Sequence, residues 1–586
     1  MKKILYIAAT AVLSLGMVSC SLDAENLTDS TSENFPKTEG DATASLAAIY
    51  ENLNAVNANP QMSFYYLSML ASDDNLGGGG ANDKLMQALD LMCNYNANMT
   101  EQFYKDRFEG IGRANALLQA LPNTDLSDDF KAQAIGEAKF LRGFYYYELA
   151  SQYGNVPLVT EPGQDPVQGE VTDLWAQILM DLRDAAKDMP EKKLTDGHVD
   201  KYTAEAMLAR VWLFYTGFYG NGTDLAALTS TTYNPLTSVA LPDGSTLTKQ
   251  EVIGYIDDCV NNSGYELVPD YRNLWAYTNK YTVENYPYTA GQGLAWVEND
   301  NAVNPESMFA IKFNKLASWN TTIGYGNGYA LHFGIRGGQD VNKTFPFGQG
   351  WGAGPVAPNL VDDWKAAEPS DMRRDASIQD VRELPQYAFG GATWADFIQE
   401  TNYFEKKQCA IAGTDGENYQ PCFEVYMYGD KGWSNGVNFQ TSNIHDLVLL
   451  RFADALLMHS ELTDGAPIAR YGKNGLNVVR ERAGLDDKSY SLVNLQNERR
   501  WELAFEGVRW NDIRRWHIAA AALEKQTNQP TYSRGVADTN KAHNGGYATR
   551  YNATAGFQKM PENQVLQGRV AQNEGWSGAD SEYQGW

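Results

Sequence analysis

Apolar residues recur at three- and four-residue spacing along both ends of this 586-residue chain and lose that rhythm in between. Over 41–56, Leu46, Ile49, Tyr50 and Leu53 fall on one helical face behind Asp41, an N-cap residue type. Phe103, Phe108, Ile111 and Leu118 continue the pattern until Pro122. Residues 128–153 read as a long helix with Ala138, Leu141, Tyr145 and Leu149 on one face, stopped by Gly154 and Pro157. Helices are likewise expected over 171–187, 203–219, 249–262, 446–462 and 474–483. The fold class that follows is mostly α: a helical scaffold interrupted by a long, irregular, loop-rich insertion.

Small residues at the expected helix contacts, Ala204, Ala206 and Ala209, suit paired helices stacked like tetratricopeptide repeats, although no clean repeat period is present. The divisions read from the pattern are an N-terminal helical region over 41–264, an irregular region over 265–440 and a C-terminal helical region over 441–586. The middle is dense in Gly, Asn, Trp and Tyr, as in Ile323-Gly324-Tyr325-Gly326-Asn327-Gly328-Tyr329. Loops on a rigid scaffold are where binding residues concentrate. Trp275, Tyr277, Trp296, Trp319, Tyr325, Trp351 and Trp433 all fall there. Such rings pack either into a core or against the C–H faces of sugars and the surfaces of partner proteins. Trp319 and Trp351 have little apolar company and are the stronger ligand candidates.

At the amino terminus, Met1-Lys2-Lys3 precedes an apolar run over 4–18 that is too short to span a bilayer and reads as an export signal over 1–19. Cys20, directly after a small-residue site, resembles a bacterial lipobox cysteine, whose thiol takes a diacylglycerol. A polar linker over 20–40 follows, and the acidic residues of Ser21-Leu22-Asp23-Ala24-Glu25 resemble a surface-export signal. No other run of eighteen apolar residues exists, so the expectation is a body tethered to a membrane by its lipid alone.

The net charge of −26 excludes a phosphate-neutralising nucleic-acid surface. Four further cysteines form no CxxC pair. Cys409 and Cys422 flank a loop and are candidates for a disulfide in an oxidising compartment, which distance alone decides. No HExxH, Walker A or EF-hand motif is present, and Gly432-Trp433-Ser434-Asn435-Gly436 lacks the helix that a nucleophile elbow needs. With 73 acidic residues, paired carboxylates carry no information about glycoside hydrolysis. The most site-like acidic group is Asp73-Asp74-Asn75 before the glycines of 77–80. It suits sugar hydroxyls or calcium through oxygen ligands, or else a solvated turn. No cofactor is expected apart from that possible calcium.

The stretch Asn497-Glu-Arg-Arg-Trp-Glu-Leu-Ala-Phe-Glu-Gly-Val-Arg-Trp-Asn-Asp-Ile-Arg-Arg-Trp-His517 combines acids, arginines and tryptophans. Read as one helix, it packs Phe505, Val508, Ile513 and Trp516 on one side and pairs Glu506 with Arg509 and Asp512 with Arg515. That is a structural element rather than an active site. The same stretch resembles the C-terminal signature of the SusD/RagB family, surface glycan-binding lipoproteins of Bacteroidetes. Arg113-Ala114-Asn115, the run from Ala138 to Tyr146, Tyr153-Gly154-Asn155-Val156-Pro157, the run from Leu450 to Met458 and Asn477-Val478-Val479-Arg480 agree with it in order. The resemblance implies a SusD-like helical scaffold and a non-catalytic surface protein. Facing the cell exterior, such a protein captures an oligosaccharide above a SusC-like TonB-dependent outer-membrane transporter. It also points to two ligand-binding segments by position: the loop over 73–82, with Asp73, Asp74, Asn75 and Asn82, and the segment carrying Trp351, with Tyr325 as a second ring. Peptide capture, as in some relatives, is the alternative cargo, and a surface glycoside hydrolase is a more distant one.

Overall fold

The computed structural model describes residues 35–56, 59–313, 326–336, 344–348, 350–384, 397–414, 419–420 and 443–585. Helices dominate both ends, as the apolar rhythm predicts. Helix α1 (Glu39–Ala55) starts earlier than expected, because Thr38 is its N-cap and Asp41 occupies the third helical position. The two close a reciprocal capping box: Asp41 N donates to Thr38 Oγ1 at 3.1 Å and Thr38 N to Asp41 Oδ2 at 2.9 Å. Two short helices follow, α2 (Phe64–Leu70) and α3 (Lys84–Asp90).

Five longer helices then stack in sequence order. These are α4 (Glu101–Ala120), α5 (Asp128–Tyr153), α6 (Val171–Asp188), α7 (Lys201–Phe218) and α8 (Lys249–Asn262), each packed on the next. Ala204, Ala206 and Ala209 are fully buried, as close helix contacts require. Buried ion pairs lock the stack laterally. Arg107 Nε meets Glu148 Oε2 at 2.6 Å, and Arg142 grips both oxygens of Asp181 at 2.8 and 2.7 Å.

The middle of the chain is irregular but not unpacked. It contributes β1 (Ser307–Ile311), helices α9 (Pro358–Ala367) and α10 (Met372–Ser377), and the strand pair β2 (Ile378–Asp380) with β3 (Tyr403–Glu405). A separate small core gathers Tyr271, Tyr277, Tyr286, Phe347, Phe397 and Phe404. Trp275, Tyr277 and Trp296 are buried, so for these three the core reading holds.

Two expectations fail in instructive ways. The helix expected over 446–462 begins as a strand, β4 (Leu447–Arg451), and only then becomes α11 (Phe452–Leu462). A short apolar run such as Leu447-Val448-Leu449-Leu450 fits strand or helix equally well. Its antiparallel partner β1 decides, with Ile311 opposite Leu447 and Ser307 opposite Arg451. The stretch 497–517 is likewise not one helix. After α12 (Gly475–Arg482), α13 (Leu492–Leu503) ends, the chain breaks, and α14 (Arg509–Arg515) begins in a new direction. Phe505 and Gly507 take left-handed backbone angles at the break, φ +64° and +71°. At Gly507 a β-carbon would also stand 2.8 Å from the Tyr65 ring. Asp512 and Arg515 pair as expected, at 2.8 Å, but Glu506 and Arg509 are sent to different partners.

Arg509 turns to Asp73, while Glu506 joins a dense buried charge network. Glu498, Glu502 and Glu506 recur every four residues and are all buried. Glu502 accepts from Arg451 Nη1 at 2.6 Å, Arg373 Nη1 at 2.9 Å and Arg482 Nη2. Glu498 takes Arg373 and Arg480 at 2.7 and 2.9 Å, and Glu506 takes Arg451 and Lys407 at 2.6 and 2.7 Å. Arg451 also reaches Glu306 at 2.6 Å. Burial alone would raise the Glu502 carboxyl, yet Arg482, Arg451 and Arg373 hold it well below the usual carboxylate range. Removing one member strands the others without water. Arg451→Met is expected to cost about 3–5 kcal/mol in unfolding free energy, read from a urea titration. A variant as stable as the parent would show that the network is energetically neutral.

Candidate binding face around Trp351

The loop after α2 does not lie open to solvent. Asp73, Asp74, Asn75 and the glycines of 77–80 are all buried, so neither an exposed acidic site nor a solvated turn describes them. Asp73 receives Arg509 at 2.7 and 2.9 Å on its two oxygens and Arg500 at 3.1 Å. Asp74 receives Arg500 Nε at 2.7 Å, and the same guanidinium reaches Asp363 at 3.0 Å. Guanidinium groups therefore occupy the carboxylate oxygens of Asp73 and Asp74, which are held in buried ion pairs rather than presented to solvent. Burial works against ionised Asp73, but Arg500 and Arg509 hold its carboxyl well below the ordinary range. Burial, with the Asp73 charge beside it, pushes Asp74 up. Among the described residues no group of three or more His, Cys, Asp or Glu is placed to hold a metal ion.

The loop instead forms the back of a surface built by the second expected segment. Residues 75–79 run antiparallel to 352–356: Leu76 N donates to Pro355 O at 2.9 Å and Gly79 N to Gly352 O at 2.8 Å. Asn75 Nδ2 adds a bond to Gly354 O at 2.8 Å. This approach explains the glycine run. At Gly78, with φ +67°, a β-carbon would stand 2.3 Å from the Pro355 ring and 2.4 Å from Gly352 O. The loop carbonyls are satisfied from behind, since Gln87 Nε2 donates to Gly78 O and Gly80 O at 3.1 and 2.9 Å.

At the outer edge of this surface stands Trp351, which is partly exposed. Its ring rests on the His332 imidazole, 4.6 Å between centroids, and His332 in turn is hydrogen bonded to the Tyr66 hydroxyl at 3.1 Å. Burial pushes the His332 pKa down to about 3, so the ring under the tryptophan is neutral at physiological pH. Arg336 Nη1 donates to Trp351 O at 3.0 Å and pairs with Asp83 at 3.1 Å, while its guanidinium lies over Phe397. Exposed Asn82 adjoins Asp83 at the loop tip. The face thus offers a braced aromatic ring beside amide, carboxylate and guanidinium groups. That combination suits a hydroxylated ring whose C–H side stacks and whose hydroxyls bond at the rim.

Of the other expected site residues, Cys20, Trp319, Tyr325 and Cys422 lie outside the described residues, as does the Gly432–Gly436 run. Cys409 is buried with a free thiol. Sequence reasoning missed His332, Arg336 and Asp83. Asp83 and Arg336 are 253 positions apart, and no local pattern announces their meeting.

The sequence matches the SusD family model over residues 305–576, and a second model, described as starch-binding associating with outer membrane, over residues 22–213. Between them the matches cover well over half of the chain, which belongs to the SusD family. SusD-like protein P2 of Formosa agariphila is 24% identical over 532 residues, spanning 86% of this chain and 89% of the relative. Among solved structures, a laminarin binding SusD-like protein superposes with TM-score 0.66 at 24% identity, covering 92% of this chain and all of that one. Surface glycan-binding protein A from Bacteroides thetaiotaomicron, in complex with laminarihexaose, gives 0.62 at 19% identity, covering 91% and 98%. No helix among the described residues is long and apolar enough to cross a membrane.

Asp90 anchors the loop from beneath. Its Oδ2 accepts from Gly77 N at 3.0 Å, Gln399 Nε2 at 2.8 Å and Tyr547 Oη at 3.2 Å. Burial outweighs these bonds and raises its pKa to about 7. The folded state thus holds this proton more tightly than the unfolded chain does. The stabilisation is complete below the usual carboxylate range near about 4, and is lost as pH rises from there through about 7. Asp90→Asn is expected to flatten part of the fall in melting temperature between pH 5 and 8. Other raised carboxyls, among them Glu405 at about 7 and Glu298 at about 8, contribute to the remainder. An unchanged slope in the variant would remove Asp90 from the account.

Proposed function

We propose that this chain is a non-catalytic, surface-exposed glycan-binding lipoprotein. Anchored through Cys20, it captures an oligosaccharide and passes it to a SusC-like TonB-dependent transporter in the outer membrane. The observation that carries the reading is the Trp351 face: a partly exposed indole held on a neutral His332 and rimmed by Arg336, Asp83 and Asn82. Membership in the SusD family, and the laminarin and laminarihexaose named for two structural neighbours, support it and supply the first probes. A face of this kind holds and orients a sugar. The strongly bonded acids behind it, Asp73 and Asp74, serve its rigidity and not a reaction.

Calorimetry with laminarihexaose, a panel of other oligosaccharides and a set of short peptides tests the reading. Trp351→Ala is expected to weaken the bound oligosaccharide by about 1 kcal/mol or more while leaving the melting temperature close to that of the parent. Affinity unchanged across the glycan panel overturns the site assignment. Binding confined to the peptides replaces the glycan with a peptide cargo.

A further inference from the structure

Near the C-terminal end the chain forms a hairpin of two short strands, β5 (Pro530–Ser533) and β6 (Val536–Thr539), with Ser533 opposite Val536. Arg534 and Gly535 alone make the turn, both with positive φ, +53° and +76°. A two-residue turn of that kind favours Asn-Gly or Asp-Gly, because a β-carbon in the left-handed conformation crowds the following carbonyl oxygen. Among the described residues, ten other non-glycine positions have positive φ. Five of them are Asp or Asn, and the remaining five, Met92, Gln399, Phe505, His517 and Ala555, are buried and held by packing. Arg534 alone puts a long, exposed side chain on such a backbone.

The hairpin is joined to the Trp351 face through residues 397–400. Glu400 and Tyr532 exchange backbone bonds at 2.9 and 2.6 Å, and Arg534 N donates to Phe397 O at 2.5 Å. Phe397 in turn belongs to the rim of that face. Its backbone pairs with Gly80, its ring lies 5.6 Å from the Arg336 guanidinium, and a β-carbon at Gly352 would stand 2.7 Å from the ring. Two backbone pairings therefore separate Arg534 from the loop that carries Asn82 and Asp83, about 10 Å at the usual spacing between strands. Arg336 is tied to Asp83, whereas the Arg534 side chain makes no hydrogen bond, ion pair or ring contact among the described residues. The hairpin's own carboxylate, Asp538, is bonded to Lys541 at 3.2 Å. Nothing in the fold uses the guanidinium that this turn carries. Strain kept at an exposed position without a structural return points to a role outside the fold.

We propose that Arg534 is a specificity-determining residue of an extended binding face. It donates to a sugar unit beyond the one that stacks on Trp351, so the two residues together select a ligand by its length. This inference rests on the glycan reading of the Trp351 face and adds to it the minimum size of the glycan. An arginine side chain carries donors only, set in a planar fork, and so recognises acceptor oxygens. Those oxygens belong to the hydroxyls of a neutral sugar or to the carboxylate of a uronic acid.

The experiment is calorimetry on the full chain with three pairs of probes: laminarihexaose and laminaribiose, cellohexaose and cellobiose, hexagalacturonate and digalacturonate. Dimers are measured directly or by competition with the hexamer. The parent is compared with Trp351→Ala, Arg534→Gly and Arg534→Asn. Gly and Asn both suit the turn, so the two Arg534 variants are expected to melt at or above the parent's temperature. Each is expected to lose about three-fold or more in affinity for a hexamer that the parent binds, with affinity for the matching dimer unchanged. Trp351→Ala is expected to weaken hexamer and dimer alike. A loss confined to hexagalacturonate assigns Arg534 to a carboxylate, and a loss with a neutral hexamer assigns it to hydroxyls. Full hexamer affinity in both Arg534 variants, or an equal loss with hexamer and dimer, overturns the inference while the Trp351 reading stands. No hexamer bound, or none weakened by Trp351→Ala, overturns both.

Discussion

The buried carboxylate–guanidinium lattice around Glu502 and Arg451 ties the irregular middle of the chain to its C-terminal region. Arg451 ends β4, Glu306 adjoins β1, Arg480 and Arg482 close α12, Arg373 belongs to α10, and the glutamates lie on α13 and the turn after it. Desolvating so many charges is expensive, and each carboxylate offsets the cost only by meeting more than one cation at short range. The geometry must therefore be satisfied all at once. Among the described residues the irregular middle of the chain has only two-stranded pairings, and this lattice supplies a fixed edge beside its small aromatic core.

The break between α13 and α14 turns one short motif into several anchors. Had 497–517 continued as a helix, Glu506 and Arg509 would have neutralised each other at the surface. With Phe505 and Gly507 in left-handed conformations, Glu506 enters the lattice and Arg509 reaches Asp73. Arg500, one turn before the break, spans Asp73, Asp74 and Asp363, and Trp501 stacks on Trp364 of α9 at 5.1 Å. Trp510, Ile513 and Trp516 fill the core on the far side. Acids, arginines and tryptophans occur together here because each type serves a different neighbour.

Much of the scaffold was legible from periodicity because the long helices carry their own signals: a Gly-Pro stop after Tyr153 and small residues in α7. Where legibility failed, the deciding partner was distant. Leu447-Val448-Leu449-Leu450 needed β1 to become a strand, and the α1 boundary depended on Thr38 bonding back to Asp41. Asp73-Asp74-Asn75 looked like a site because local sequence shows three polar residues before glycines. It does not show two arginines arriving from more than 400 positions away. The partial exposure of Trp351 was legible for the opposite reason, since its glycine-rich surroundings left it no core to join.

The acidic loop and the tryptophan segment are linked by backbone bonds over 75–79 and 352–356, so the two expected ligand segments are one structural unit with an inner and an outer side. The inner side is tied to the C-terminal motif through Arg500 and Arg509, and to Asp90 and Gln87 beneath the glycines. The outer side carries Trp351. The His332 ring contact braces the Trp351 indole, and the Arg336 bond holds its carbonyl. The charged motif at the far end of the chain is therefore joined to the Trp351 segment through this loop. It holds rigid the loop on which the Trp351 segment lies.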